Sequence, residues 1–313
     1  MHYRIGVVGL GSIGTRHIRN IVNELNNRGD SFSIDLIRTG KGDLSVAEDI
    51  RHCIKTTYLY DDQITAKYDV VFITNPTHLH YDAMQRFSGL TAHMFIEKPI
   101  FHTSRLDVDE LELKSGNIYY VACPLRYSNV VQHIKKTMDT GAVFSVRAIC
   151  SSYLPDWRPN QDYRATYSAH KDQGGGVSID LIHEWDYLSY LFGMPKSVHK
   201  LSGKFSHLEI DSDDLAVYIA RYESMCLELH LDYFGRKRMR QVQIFTCDET
   251  ISGDLINETV SYTRLNENMV FEPDGRDIFQ REMERFFNIL EGKAANENDV
   301  RHALKILKIA AEE

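Results

Sequence analysis

Short apolar runs alternate with amphipathic stretches over residues 1–122. The apolar runs predict strands at Tyr3–Val8, Ser33–Arg38, Asp69–Ile73, Ala92–Ile96 and Tyr119–Ala122. Apolar residues at helical spacing predict helices at Ser12–Asn26, Thr77–Ser88 and Ser104–Ser115. Nearly continuous apolar strands that alternate with helices indicate a parallel sheet with both faces covered.

The pattern changes after Cys123. A helix (Ser128–Thr140) and a long strand (Phe144–Tyr153) precede an irregular stretch, 154–176, and a helix at Ser178–Phe192. Strands without intervening helices follow at Val198–Phe205, Asp214–Tyr222, Cys226–Leu231, Gln241–Thr246 and Glu258–Arg264. Two helices close the chain, Ile278–Glu291 and Val300–Glu312, the second capped by Asn298 or Asp299. Successive strands predict an antiparallel or mixed sheet.

The two patterns predict an α/β protein of two domains. Residues 1–122 would form a Rossmann-type domain with a doubly wound parallel sheet. Residues 123–313 would form an α+β domain with a large open mixed or antiparallel sheet. The last helix could return to pack on the first domain.

Composition narrows the class of protein. The net charge of −8 disfavours a nucleic-acid partner, although it leaves room for a local basic pocket. The first residues run directly into an apolar strand pattern, so no secretory leader is expected, and no apolar stretch is long enough to predict a membrane-spanning helix. The five cysteines lack CxxC spacing, so neither a disulfide framework nor a zinc site is expected. These features favour the cytoplasm.

A dinucleotide fingerprint, GxGxxG, directly follows the first strand and opens the first helix. Gly9 would allow the tight turn, Gly11 the approach of a pyrophosphate, and Gly14 close packing of helix on strand. The backbone N–H groups around Ser12 and Ile13 would then face the phosphates at the helix N-terminus.

The end of the second strand bears on the choice between NAD and NADP. An acidic residue there would bind the ribose 2′-hydroxyl of NAD, but the first carboxylate comes only at Asp43. Arg38 and Thr39, with charge from Lys41, could instead bind a 2′-phosphate. NADP is therefore favoured over NAD, with Arg38 stacked on adenine or facing solvent as the alternative.

Two further strands end in polar residues at the edge where ligands of open α/β sheets collect. Thr74, Asn75, Pro76 and His80 follow one strand, and Glu97-Lys98 follows the next. We assign the first group and Glu97 to the cofactor site, and the position of Lys98 at the same edge favours a functional role for it over that of a surface lysine. His78 and His80 lack further Cys or His partners, so no metal site is expected.

These motifs together resemble the glucose-fructose oxidoreductase / inositol 2-dehydrogenase / rhizopine catabolism protein family. The resemblance rests on GxGxxG, Pro76-x-x-x-His80, Glu97-Lys98-Pro99, the pair Arg126-Tyr127, and the glycines 174–176 followed by Asp180 and His183. It implies that residues 1–122 are a Rossmann domain that binds NAD(P), and that residues 123–313 are a second α/β domain with a large open sheet for substrate binding and oligomerisation. The same resemblance implies NAD(P)-dependent chemistry on sugars, polyols or nucleotide sugars. It also implies dimers or tetramers.

By resemblance, Lys98 would lie beside the nicotinamide and the reacting hydroxyl, and Asp180 and His183 would complete the catalytic set. Removing a hydride from an alcohol carbon requires that its oxygen lose a proton, which suits His183 as the base. Asp180 would hold the substrate or orient the ring, and Lys98 would polarise the oxygen or relay the proton. The family more often has its histidine at the position of Glu184, so Glu184 is a reserve candidate.

The irregular stretch offers substrate-binding residues. Trp157 and Tyr163 have faces that suit sugar rings, while Arg158 and Arg126 suit carboxylate or phosphate groups. With Arg164, His170 and Lys171 they would make a basic corner and favour an anionic sugar-like substrate; an ordinary surface loop is the alternative. A dinucleotide-binding regulatory protein and an NAD-assisted glycoside-cleaving enzyme remain as alternative functions.

Overall fold

A computed structural model of the chain describes residues 1–41 and 45–311. Asp43 and Glu312, which the sequence analysis used, lie outside the described residues. The chain divides into two compact units: the first comprises Met1–Ala122 and Asp277–Lys305, and the second comprises Cys123–Arg276 and Ile306–Glu313. That residues 1–122 bind nucleotide and residues 123–313 bind substrate stays a prediction.

The first unit contains a six-stranded sheet, in which every pair is parallel. Its strands are β1 (His2–Val8), β2 (Ser31–Arg38), β3 (Ile54–Leu59), β4 (Tyr68–Ile73), β5 (Thr91–Ile96) and β6 (Tyr119–Val121). Its helices are α1 (Ser12–Arg28), α2 (Glu48–Arg51), α3 (His80–Phe87) and α7 (Ile278–Leu290). The order β3-β2-β1-β4-β5-β6 reverses direction between β1 and β4. Ligands of doubly wound sheets bind beyond the strand ends at such a reversal.

Aromatic side chains form the centre of the core of the first unit. Phe286 of α7 packs edge-on against Phe95 (5.1 Å between ring centroids) and Phe72 (5.7 Å). Both strand residues are fully buried, as expected for a parallel sheet covered by helices. Helix α7 therefore completes the core of the first unit by packing on β4 and β5, the strands that end at the candidate cofactor site.

The second unit is built on an eight-stranded mixed sheet of order β14-β13-β12-β11-β7-β10-β9-β8. Its strands are β7 (Val143–Tyr153), β8 (Ser197–Gly203), β9 (Leu215–Arg221), β10 (Cys226–Asp232), β11 (Phe234–Thr246), β12 (Thr250–Asp254), β13 (Thr259–Tyr262) and β14 (Glu267–Val270). Only β7 and β10 pair in parallel among these described strands. Its helices are α4 (Asn129–Thr137), α5 (Val177–Asp180) and α6 (His183–Phe192), while the residues of α8 (Val300–Ala311) are divided between the units.

The α/β fold class predicted from sequence is confirmed, and the differences are local. The predicted helix at Ser104–Ser115 is wrong: only a 3-10 turn forms, because the Asp107 carboxylate captures the Asp109 N–H and competes with helical hydrogen bonding. β3 was missed because only alternate residues are half-buried. Asp299 caps α8 by accepting the His302 N–H (2.8 Å), as one of the two predicted candidates.

The predicted helix at Ser178–Phe192 is interrupted between α5 and α6. The Ile182 and Glu184 N–H groups bond carbonyls three residues back, at Ile179 and Leu181, instead of four. Asp180 therefore ends one helix and His183 begins the next, so their spacing of three no longer places them on one continuous helical face. No helix in the described part of the chain is long and apolar enough to cross a bilayer.

Candidate active site

The glycine turn after β1 has a different physical requirement at each glycine. Gly9 has φ +91°, and a Cβ there would lie 2.7 Å from the Asn75 Cα. A Cβ on Gly14 would lie 2.5 Å from the Gly9 carbonyl oxygen, whereas one on Gly11 meets no described atom within 4 Å. Gly9 and Gly14 are thus required by the backbone. Gly11 borders open space, which fits the fingerprint's prediction of an approaching pyrophosphate.

Four strand ends form one row at the edge of this sheet. Register pairs Ile37 with Val8, Val8 with Ile73, and Ile73 with Ile96. The next residues are therefore neighbours along the edge: Arg38, Gly9, Thr74 and Glu97. Thr74 reinforces the row, because its Oγ1 lies 2.8 Å from the carbonyl oxygen of Gly9. The cofactor-binding residues predicted from sequence and Lys98 thus belong to one edge.

The N-terminus of α1 fits a phosphate ligand. The N-cap residue of this helix is Gly11, which has no side chain that could accept the first N–H groups, so those near Ser12 and Ile13 suit an external acceptor. The buried Asn75 Oδ1 also has no hydrogen-bond partner among the described residues. Both features suit a dinucleotide at this edge. Arg38 is half-buried, and Thr39 and Lys41 are exposed.

His80 ties together the two loops that follow β4 and β5. Its Nε2 lies 2.9 Å from the Asn75 carbonyl oxygen, and its Nδ1 lies 3.0 Å from that of Pro99. Burial lowers the pKa of this imidazole. The ring thus fixes the segment that contains Pro76, while His78 nearby is exposed. His80 would support the cofactor site by shaping these loops.

A buried His17–Glu97 pair supports the segment that carries Lys98, and the sequence analysis missed it. His17 Nε2 lies 2.5 Å from Glu97 Oε1, and Glu97 Oε2 accepts the backbone N–H of Lys98 at 3.1 Å. Burial raises the pKa of Glu97, but His17 and the charge of Lys98 outweigh it and lower that pKa. Lys98 itself is half-buried and precedes a cis-proline, Pro99. The sequence signal that could have revealed this pair is His17 itself, a polar residue on the apolar face of α1.

In the second unit, three hydroxyl groups hold the Asp180 carboxylate. Tyr167 donates to Oδ1 (2.7 Å), and Ser168 (2.6 Å) and Tyr233 (3.0 Å) donate to Oδ2. Asp180 is buried. The charge of Asp180 and the burial of the Tyr167 hydroxyl both raise the pKa of Tyr167. The network fixes an anionic group with hydroxyl partners. Sequence reasoning found Asp180 but not these partners, since they come from separate segments.

The glycines before α5 are required by close packing. A Cβ on Gly175 would lie 2.2 Å from the Tyr167 carbonyl oxygen. Gly176 has φ +108°, and a Cβ there would lie 2.0 Å from Asp213 Oδ1. The glycine run therefore lets the chain turn tightly against the loop that supplies Tyr167, and so positions Asp180.

His183 lies against a buried ion pair. Arg240 Nη2 is 2.8 Å from His183 Nε2, and Arg240 Nε is 2.7 Å from Glu184 Oε1. Glu184 is fully buried; burial raises its pKa and Arg240 opposes the rise. The reserve candidate Glu184 is thus engaged with Arg240 in the interior. These contacts of His183 with Arg240 and Glu184 differ from the hydroxyl contacts of Asp180.

Two of the predicted substrate-binding residues surround the Asp180 network. The Trp157 ring packs edge-on against Tyr233 (5.2 Å), and Trp157 Nε1 donates to Ser152 Oγ. Arg158 is exposed, with its guanidinium 5.6 Å from the centre of the Tyr167 ring. Trp157 and Arg158 thus each contact a tyrosine that donates a hydrogen bond to the Asp180 carboxylate. Tyr163 is half-buried, and its hydroxyl accepts the Glu209 N–H (3.2 Å).

The predicted basic corner is partly neutralised by ion pairs. Arg126 is buried in a two-pronged pair with Asp186, in which both N–O distances are 2.8 Å. Arg164 pairs with Asp162 and Glu209. The geometry gives Arg126 a structural contact with α6, and its role in substrate binding stays a prediction. Within the described residues, no group of three or more His, Cys, Asp or Glu side chains could hold a metal ion.

Comparisons with known proteins match both parts of the chain to one family. Residues 3–122 match the oxidoreductase family with an NAD-binding Rossmann fold (GFO/IDH/MocA), and residues 131–246 match the C-terminal domain of the same family. The chain is 26% identical over 206 residues to 2,7-anhydro-N-acetylneuraminate hydratase of Escherichia coli K12, a match that covers 64% of this chain and 53% of that protein. The chain thus spans about half the length of that curated relative.

Two further relatives cover more of the chain. Myo-inositol 2-dehydrogenase of Thermotoga maritima is 23% identical over 272 residues, covering 82% of this chain and 76% of that protein. The WlbA dehydrogenase of Bordetella pertussis, solved with NADH and UDP-GlcNAcA, has a TM-score of 0.77 at 18% identity, covering 99% of this chain and 95% of that one. The second similarity shows the shared fold.

Proposed function

Because this chain belongs to the GFO/IDH/MocA oxidoreductase family, we propose that it transfers a hydride between NAD(P) and a hydroxyl or ketone carbon of a sugar, polyol or nucleotide sugar. The observation that carries the proposal is the row of strand ends, in which Lys98 follows β5 at the same edge as the glycine turn. Turnover of a substrate panel by wild type and a Lys98 variant tests it.

The first unit supplies the residues that would hold the cofactor. The N–H groups of α1 near Ser12 and Ile13 would bind the pyrophosphate, with Gly11 leaving room for it. Thr74, Asn75, Pro76, His80 and Glu97 would line the nicotinamide end. Bound NAD(P) would supply the hydride acceptor or donor.

Proton handling would fall first to Lys98. Loss of a hydride from carbon builds positive charge that is relieved when the alcohol oxygen loses its proton. The Lys98 ammonium can polarise this oxygen and, as the amine, accept its proton. The Glu97 carboxylate holds the Lys98 backbone N–H and thereby limits where the side chain can reach. Asp180, fixed by three hydroxyls, would accept a hydrogen bond from a substrate hydroxyl.

The substrate class follows from the aromatic and basic groups around Asp180. Trp157 and the exposed face of Tyr167 suit the apolar face of a sugar ring, and Arg158 suits an attached carboxylate or phosphate. One relative is named for an anhydro-neuraminate and another was solved with UDP-GlcNAcA, and both of these compounds are anionic sugars. An anionic sugar-like substrate is therefore our proposal.

Arg158→Ala should raise KM for acidic or phosphorylated sugars by about tenfold, because a charge-assisted hydrogen bond contributes about 1.5–3 kcal/mol. KM for neutral sugars should change little. The matched control is Arg164→Ala, which removes a cation that is already paired with Asp162 and Glu209. Steady-state kinetics on paired neutral and anionic sugars measures KM for each protein. A KM for anionic sugars that is the same in Arg158→Ala as in wild type would contradict the assignment.

We also propose that Arg38 favours NADP. Arg38→Ala should lower the ratio of NADPH to NADH affinity by about tenfold or more, since a 2′-phosphate loses its cationic partner. Quenching of NAD(P)H fluorescence measures both dissociation constants. A wild type that binds NADH as tightly as NADPH, or a variant with an unchanged ratio, would remove this role for Arg38.

A second candidate function is favoured by the name of one relative. A hydratase of an anhydro sugar opens a carbon–oxygen bond and adds water, with no net oxidation in the overall reaction. The same residues could serve such chemistry if a hydride were removed and then returned. Product analysis distinguishes the two: only the dehydrogenase leaves a net change in the redox state of the nicotinamide after turnover.

Self-association is a further proposal. Large apolar side chains stay exposed on strands of the eight-stranded sheet, with Leu201 at 59% and Ile219 at 44% of their full accessibility. Burial of such a surface would stabilise a homodimer or homotetramer. The cytoplasmic location expected from the sequence stays a prediction.

A further inference from the structure

The contacts of His183 bear on which of its nitrogens carries a proton. Arg240 comes from β11, where it pairs with Cys150 of β7, and its Nη2 points an N–H at His183 Nε2 across 2.8 Å. A guanidinium has only donors and stays protonated in proteins. Nε2 must therefore be the acceptor, which leaves the proton of the neutral ring on Nδ1.

Other charged and titratable groups pack around the same point. From α6, the Glu184 carboxylate lies 3.4 Å from His183 Nε2, farther than Arg240, and is itself 2.7 Å from Arg240 Nε. Burial lowers the pKa of the Arg240 guanidinium, but the charge of Glu184 outweighs burial, so the pKa is raised. Burial and Glu184 raise the pKa of Cys150 to about 12, so this thiol stays protonated, and Tyr187 stays protonated for the same reasons.

The cation of this buried pair is directed at the imidazole. Protonation of His183 at Nε2 would replace an accepted hydrogen bond by two donors facing each other at hydrogen-bond distance. It would also set a second positive charge beside the guanidinium in a partly buried place. A base that takes a proton from the substrate needs an available nitrogen lone pair. In His183 the lone pair of Nε2 already accepts the N–H of Arg240.

We propose that Arg240 is a positioning residue that holds His183 as the Nδ1–H tautomer, so that His183 donates a hydrogen bond to the substrate oxygen instead of acting as the base. The inference rests on the proposed function for the role of His183 in the reaction, but the tautomer itself does not depend on it. The proton of the reaction is then left to Lys98.

Nitrogen NMR of protein labelled with 15N-histidine tests the tautomer without any substrate. The resonances of His183 are identified by their loss in His183→Asn. At neutral pH the wild type should show Nε2 as an unprotonated nitrogen and Nδ1 as a protonated one. Removal of the cation together with its partner in Arg240→Met/Glu184→Gln avoids a lone buried charge and should abolish this fixed pattern. An Nε2–H tautomer or an imidazolium in the wild type would overturn the proposal.

Two substitutions of His183 separate donation from base catalysis. The side-chain amide of asparagine sits where Nδ1 of histidine sits along the chain from Cβ, so His183→Asn keeps a donor but has no basic nitrogen. We expect His183→Asn to keep kcat within about tenfold of wild type and His183→Ala to lose about 100-fold, the lower range for a group acting in the transition state. Equal losses in both variants would overturn the donor role.

The double variant adds a kinetic readout. Arg240→Met/Glu184→Gln should lower kcat by about 10-fold to 100-fold, as do groups that orient a functional histidine, with KM changed much less. Failures of the two proposals are distinguishable. Full activity in His183→Ala with the expected tautomer would refute the catalytic role of His183 and leave the Arg240 contact intact. The wrong tautomer would refute both the role of Arg240 and the donor role of His183, but it would leave the proposed hydride transfer untouched.

Discussion

Replacement of Lys98 by methionine is expected to lower kcat for hydride transfer by about 1,000-fold, within the range of about 10²–10⁴ for a lost acid–base group. Methionine keeps much of the length of the side chain but has no proton to give or take. Affinity for NAD(P)H should stay within about twofold, because the phosphates are expected to bind at the glycine turn and not at Lys98. Single-turnover absorbance and fluorescence titration measure the two quantities.

Lys98→Arg is the matched control. It retains a positive charge after β5 but stays protonated, so it can polarise an oxygen without accepting a proton. It should therefore be nearly as slow as Lys98→Met in the oxidation direction. Weakened cofactor binding in both variants would show that Lys98 supports the fold of the cofactor site, and near-normal turnover in Lys98→Met would remove it from the reaction.

Gly11→Asp should abolish cofactor binding while the protein stays folded. The added Cβ meets no described atom within 4 Å, and the backbone at Gly11 (φ −84°, ψ −167°) is open to any residue. Aspartate at this position is also a favourable N-cap for α1. A carboxylate there would occupy the space predicted for the pyrophosphate and repel it. We expect the Kd for NAD(P)H to rise at least about 100-fold, or about 2.7 kcal/mol.

Gly89→Asp adds the same side chain to the same unit at another position where a Cβ has open space. It should leave both Kd and Tm unchanged, whereas Gly11→Asp should keep or raise Tm as it loses the ligand. Normal NAD(P)H affinity in Gly11→Asp would place the dinucleotide elsewhere. A large drop in Tm would instead mean that Gly11 is required by the fold.

Much of the first unit could be predicted because its signals are local. Buried parallel strands leave continuous apolar runs, and a glycine fingerprint between strand and helix marks the nucleotide edge. The polar residues that end β4 and β5 could be assigned to this edge because parallel strands share their direction. β3 escaped prediction because an edge strand needs no apolar run.

The interactions that shape the candidate site could not be predicted to the same depth. The partners of Asp180, Glu97 and His183 are Tyr233, His17 and Arg240, which are 53, 80 and 57 residues away in sequence. A helical spacing of three suggested that Asp180 and His183 act as a pair, but the break between α5 and α6 changes their relation. Contacts of this kind arise from tertiary packing, which single-sequence patterns do not encode.

The most direct test of the account is the absorbance of reduced nicotinamide during turnover of sugars, polyols and nucleotide sugars with both NAD and NADP. We expect the wild type to oxidise or reduce at least one member of this panel and Lys98→Met to lose this turnover. Equal turnover by the two proteins, or tight cofactor binding without any redox change across the panel, would contradict it.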